Sequence, residues 1–135
     1  FTQTFECTRT LRGHEHSVSG VQWLPTDELI ASASRDCSIK IWEAKSGYCL
    51  RTLNGHSEWV RRVVAAPTGT RIASCSNDKT ARVWDASSGK CLTELRGHTH
   101  VVEAIAFSHA AADVTLHAHI EGAQANGEGA GDASR

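Results

Sequence analysis

The sequence predicts an all-β chain built from repeated four-stranded units. Three observations predict it. The pair Gly-His recurs at Gly13-His14, Gly55-His56 and Gly97-His98, each 42 residues after the last. Apolar runs of strand length recur with it, and Ile39-Lys40-Ile41 and Ala81-Arg82-Val83 alternate apolar and polar as half-buried strands do. Turn formers separate the runs, and no stretch carries a helix period.

The elements follow in order. A strand over about 6–11 ends at Leu11, which shares its column with Leu53 and Leu95. Val18, Gly20 and Trp23 mark a second strand at about 17–24, stopped by Pro25-Thr26-Asp27. Strands at about 29–34 and 38–43 lead to Ser46-Gly47, and the next runs over about 48–53. Val60 and Val64 mark the strand at about 59–65, which ends before Pro67-Thr68-Gly69. Strands at about 71–76 and 80–85 precede Ser88-Gly89, followed by about 90–95 and 101–107. The short run Asp113 to Leu116 reads as a weak strand.

The fixed step turns scattered residues into columns: Ser32 with Ser74, Asp36 with Asp78, Trp42 with Trp84, and Cys7 with Cys49 and Cys91. In both full copies the His-to-Trp gap is 28 and the Asp-to-Trp gap is 6. A period of about 40–45 residues with Gly-His early and Trp-Asp late marks a β-propeller blade. The chain resembles the WD-repeat family, on Gly13-His14 to Ile41-Trp42-Glu43 and Gly55-His56 to Val83-Trp84-Asp85. The first copy departs only by ending in Trp-Glu.

That resemblance implies a WD-repeat propeller fragment: two complete four-stranded blades with partial blades on either side. Residues 1–11 are expected to form the outer strand of a preceding blade, 12–53 and 54–95 the two complete blades, 96–118 a partial third, and 119–135 a flexible Gly/Ala-rich loop or tail. A closed propeller needs about four blades or more. The chain starts at Phe1 and contains no methionine, so it is expected to be an internal fragment of a larger protein. The resemblance also implies that His14, Ser32, Asp36 and Trp42 form a buried hydrogen-bond chain, as do His56, Ser74, Asp78 and Trp84. The chemistry is sensible by itself, since a buried carboxylate needs donors and imidazole and hydroxyl supply them.

Composition narrows the function. Net charge is −1, with 13 Lys+Arg against 11 Asp+Glu in residues 1–112 and one Arg against four acids beyond. Neither balance points to nucleic acid or an anionic membrane. No apolar run has membrane length and no signal peptide is seen. The five cysteines, three of them in one repeat column, read as free buried thiols in a reducing compartment. Residues 121–135 hold four glycines and four alanines, and Asn126 stands where a third repeat Trp falls.

The histidine and serine patterns do not point to a metal or catalytic site. His14, His56 and His98 belong to the repeat, and the pairs His14/His16, His98/His100 and His117/His119 lack a Cys pair at zinc spacing, so no metal or cofactor is expected. A Ser-His-Asp set recurs in each blade without a nucleophile elbow or oxyanion loop. Ser88-Gly89-Lys90 lacks the upstream glycine of a phosphate loop. No catalytic residue is assigned.

Propellers bind through the loops at their rim. Near the Gly-His turn that rim holds Arg35 and Asn77, with Ser17, Trp59 and Val101 and then Ser19, Arg61 and Glu103. Arg35 reads as a solvated turn residue or as a contact. Trp59 reads as packing on the adjacent blade or as a binding residue, and Arg62 as pointing to the opposite face of its strand, where it is solvated or paired. Arg35 and Arg61 come from neighbouring blades and are placed to converge on one acidic partner.

A closer resemblance rests on Phe5 to His14, Ser32-Ala33-Ser34-Arg35-Asp36, Gly47-Tyr48-Cys49, Gly55 to Arg61, Ala73-Ser74-Cys75-Ser76-Asn77-Asp78, Glu94-Leu95-Arg96 and His100-Val101-Val102-Glu103. These are similar to the lissencephaly-1 (nuclear distribution protein F) type of WD-repeat protein. The resemblance implies a protein-interaction scaffold for the motor domain of cytoplasmic dynein and its cofactors, acting on microtubules in the cytoplasm. It implies a homodimer through an N-terminal helical segment not present in this sequence, and a loop insertion where residues 108–135 leave the repeat. It places Arg35 and Arg61 on the partner-binding face; Trp59 and Asn77 join them from geometry. The alternative is another WD-repeat adaptor, a ubiquitin-ligase substrate receptor or a G-protein-β-like scaffold.

Overall fold

A computed structural model describes residues 5–25, 28–108 and 116–119, the last as a strand alone. Among the described residues there are ten strands and no helix. β1 (Val18–Trp23), β2 (Leu29–Ser34), β3 (Ser38–Glu43) and β4 (Cys49–Asn54) form one antiparallel sheet in chain order. β5 (Val60–Ala65), β6 (Arg71–Ser76), β7 (Ala81–Asp85) and β8 (Cys91–Leu95) form a second with the same order. β9 (Ala104–Phe107) pairs with β10 (Leu116–His119) in a third, two-stranded sheet.

Local chemistry sets the turns. Gly47 and Gly89 sit one repeat apart with φ of 83° and 79°, a left-handed conformation that costs glycine little. Their N–H groups donate to Glu43 and Asp85 carbonyls at 2.8 Å. Cys37 and Lys79, also one repeat apart, hold φ of 75° and 72° without being glycine. The preceding aspartates stabilise those tight β2–β3 and β6–β7 turns by accepting N–H bonds two residues on.

The two four-stranded sheets stack face to face. Ala31, Ala33, Ile39, Ile41 and Leu53 of the first pack against Val60, Val63, Ile72 and Trp84 of the second. The opposite face of the second sheet, with Ala73, Cys75 and Ala81, packs on Val102 and Ile105. The repeat makes each sheet's two faces unlike, so one sheet's back fits the next sheet's front. Val21, the repeat equivalent of Val63, is 66 % exposed where Val63 is 4 %, because no described element packs on the front of the first sheet.

The strand ends and the thiols depart from sequence expectation in three places. Residues 5–11 run without a strand where one is expected over 6–11, and Phe5 is 93 % exposed. No described strand lies beside them to complete a ladder. Cys7, Cys49 and Cys91 are exposed, not buried; Cys49 and Cys91 open the outermost strands β4 and β8, and of the five thiols only Cys75 is buried. β9 begins at Ala104, so residues 101–103 approach it outside the ladder. The weak strand expected at 113–116 lies outside the described residues except at Leu116, as does the loop expected at 119–135 except at His119.

Candidate functional site

Two groups of polar side chains sit on this frame, one inside each sheet and one across the sheets. The inner group is doubled. In the first sheet Ile30 pairs with Trp42 and Ser32 with Lys40, so Ser32 and Trp42 lie diagonally on one face. Trp42 Nε1 donates to Ser32 Oγ at 2.8 Å, and His14 Nε2 lies 2.7 Å from that oxygen. His14 Nδ1 lies 2.9 Å from Asp36 Oδ2. In the second sheet Trp84, Ser74, His56 and Asp78 repeat the chain at 2.8, 2.7 and 2.8 Å.

Proton count fixes the direction. Ser74 Oγ accepts from Trp84, so its own proton goes to His56 Nε2. His56 then donates through Nδ1 to Asp78; this tautomer is assigned from the bonds around it. Burial lowers the pKa of His56, outweighing the pull of Asp78 in the other direction, and keeps the ring neutral. Burial raises the Asp78 carboxyl, but bonds from Thr80 Oγ1, His56 and the Ser57 N–H outweigh it and bring it to about 2. Asp36 is likewise pushed well below the usual carboxylate range: burial opposes, and bonds from Ser38, Glu15 and His14 win. Ser38 and Thr80 are members that sequence reasoning missed. The available signal was a hydroxyl residue two positions after each repeat aspartate.

This Ser-His-Asp arrangement is closed to substrates. Ser74 has no exposed surface and Ser32 is buried beneath Trp42. A hydroxyl with its proton engaged and an indole on its lone pair has no approach for an electrophile.

The outer group is built around Trp59. The guanidinium carbon of Arg61 lies 4.4 Å from its ring centroid, and that of Arg35 lies 5.4 Å away. Arg35 comes from the β2–β3 turn of the first sheet, so the platform straddles both sheets. Each stack contributes about 0.5–1 kcal/mol at an exposed site. Arg61 also reaches Glu103 in front of β9, with Nη2 3.5 Å from Oε1. Asn77 N–H donates to the Trp59 carbonyl at 2.9 Å, and the Arg35 N–H makes the equivalent bond to Ser17. Trp59 Nε1 and Asn77 Oδ1 are buried and unpaired within the described chain.

Arg62 is exposed, as expected of a solvated residue, but it is not on the opposite face from Arg61. Val60 pairs with Ser76 and Arg62 with Cys75, which leaves Arg61 as an extra residue in a β-bulge. The bulge cancels the alternation, and both arginines line a shallow cleft with Ser19, Trp59 and Glu103. β1 carries the same bulge at Ser19. Gly20, the repeat equivalent of Arg62, was its sequence signal, since glycine inside a strand often marks a bulge or close backbone approach. A Cβ on Gly20 would lie 3.6 Å from the Arg61 carbonyl oxygen. Ser19 Oγ donates to the Val60 carbonyl, tying the two bulges together.

Comparison with known proteins adds a lineage. The family pattern described as WD domain, G-beta repeat matches residues 5–43 and 47–85. Nuclear distribution protein nudF of Aspergillus flavus is 45 % identical over 47 residues, covering 35 % of this chain and 10 % of that protein. Its namesake from Aspergillus niger is 56 % identical over 41 residues, 30 % of this chain and 9 % of that protein. Nuclear distribution protein PAC1 of Arthroderma benhamiae is 52 % identical over 48 residues, 30 % of this chain and 10 % of that protein. The matched stretch spans about a tenth of the length of these relatives.

Proposed function

Since the chain belongs to the WD-repeat family, we propose that it is a non-catalytic interaction scaffold that grips a protein partner with the platform Arg35–Trp59–Arg61, Asn77 lying at its base. Two guanidiniums from different sheets on one indole carry this reading. Arginine and tryptophan are the residues most enriched in binding hot spots, and the indole holds both cations at low entropy cost. In this reading residues 12–53 and 54–95 are the two complete blades, and the His-Ser-Asp-Trp chains hold them in shape.

The partner we propose is the motor domain of cytoplasmic dynein, with the parent protein working at microtubules in the cytoplasm. Support comes from relatives named for nuclear distribution and from the resemblance of the Glu58-Trp59-Val60-Arg61 turn to lissencephaly-1 type proteins. Binding one motor conformation better than another shifts the motor's populations, and no chemistry is needed. The test is capture of a purified dynein motor domain by the immobilised chain. Wild type retains the motor and the Arg35→Ala/Arg61→Ala variant loses it. Equal retention by a folded double variant overturns the reading.

A further inference from the structure

We infer that the cleft beside Trp59 seats a carboxylate side chain of the protein partner, with Arg62 as its free guanidinium and Glu103 as the residue that tunes its affinity. This rests on the scaffold reading above and adds two residues to it.

The cleft is lined by Ser19, Trp59, Arg61, Arg62 and Glu103, drawn from the leading segments of three successive sheets. It measures about 220 Å³, below the roughly 300 Å³ at which small-molecule pockets begin. That size suits one side chain, not a cofactor. Within it stand two guanidiniums and one carboxylate, so the cleft carries excess positive charge, and Arg35, whose guanidinium carbon lies 5.4 Å from the Trp59 ring centroid, adds to it.

The two lining arginines differ in availability. Arg61 is spent twice, on the Trp59 face and on Glu103. Arg62 is exposed, and among the described residues no carboxylate pairs with it. A planar guanidinium presented by a bulge beside an aromatic wall is suited to a two-point bond with a carboxylate. Glu103 is a loose occupant. Its 3.5 Å contact to Arg61 exceeds the roughly 2.7–2.9 Å of a tight charge-assisted bond. It repels an incoming carboxylate and competes with it for Arg61.

The test uses the full chain and a fluorescent hexaglutamate peptide, with hexaglutamine as the uncharged control, followed by anisotropy at low ionic strength. Wild type binds hexaglutamate and not hexaglutamine. Arg62→Ala weakens binding by about tenfold, the scale of one charged hydrogen-bonded contact, and Arg62→Lys restores part of it. Glu103→Gln tightens binding several-fold. Arg62 is exposed, so its variants keep the wild-type melting curve. Wild-type affinity in Arg62→Ala, or weaker binding in Glu103→Gln, overturns the inference. If hexaglutamate binding depends on Arg62 while motor capture ignores Arg35 and Arg61, the seat stands and the motor reading falls. If motor capture needs Arg35 and Arg61 while Arg62→Ala binds hexaglutamate normally, the motor reading stands and the seat falls.

Discussion

The indole N–H of Trp84 donates to Ser74 Oγ at 2.8 Å, the same distance that separates Trp42 from Ser32 in the preceding sheet. Ser74→Ala leaves a buried indole donor without an acceptor and the neutral His56 Nε2 without a donor. The cost is about 1–3 kcal/mol, from the unpaired groups more than from the lost bonds. Ser32→Ala falls in the same range. Urea unfolding midpoints check both, and a shift within error for either variant contradicts the assigned chain.

Stability is expected to fall in two stages on acidification. His56 has a folded pKa below its ordinary 6.5, so the unfolded state binds the proton first and stability drops as pH falls below about 6.5. Asp78 is depressed from 3.8 to about 2, so its contribution is complete above 3.8 and is lost as pH falls toward 2. Denaturant titrations across this range read both stages. Stability that rises between neutral pH and a pH of about 5 contradicts the neutral-imidazole assignment.

The thiols are expected to separate by depth. Cys75 has no exposed surface, and burial pushes its pKa up to about 12. Cys7, Cys49 and Cys91 are exposed. An aromatic disulfide reagent therefore labels those three in the native chain and Cys75 only after unfolding, because thiolate and access are both needed. Labelling of Cys75 at the rate of Cys49 contradicts the packing between the second sheet and Val102.

Trp59→Ala is expected to act on binding far more than on folding. It removes two stacking contacts of about 0.5–1 kcal/mol each, partly exposed, yet it frees both arginines to lose their shared position. Capture of the motor domain should drop more than tenfold, as for a central aromatic anchor, while the melting temperature moves by only a few degrees. Full capture by Trp59→Ala shows that the arginines do not need the indole.

The period carried most of the fold. Residues 29–34, 38–43 and 71–76 form the strands that spacing expects, and it is the WD-repeat resemblance, not the spacing, that implies Ser74 and Asp78 as partners of His56. Column position reports equivalence and not depth, so it could not tell that Cys49 opens an exposed outer strand. A two-residue alternation has no symbol for an inserted residue, so it hides the bulge at Arg61 and assigns Arg62 to the wrong face. The segment 6–11 has strand composition, but a strand also needs a neighbour, which its own residues do not encode. Trp59 stood out as an aromatic on a turn. That it is covered by arginines from both sheets was visible only in three dimensions.

The most direct measurement is the equilibrium affinity of the chain for a dynein motor domain at two ionic strengths, beside that of Arg35→Ala/Arg61→Ala. Wild type should bind, weaken as salt screens the platform, and exceed the double variant by about a hundredfold, roughly tenfold for each charged contact. Equal affinities for wild type and a folded double variant, or wild-type binding indifferent to salt, would contradict a scaffold that works through these two arginines.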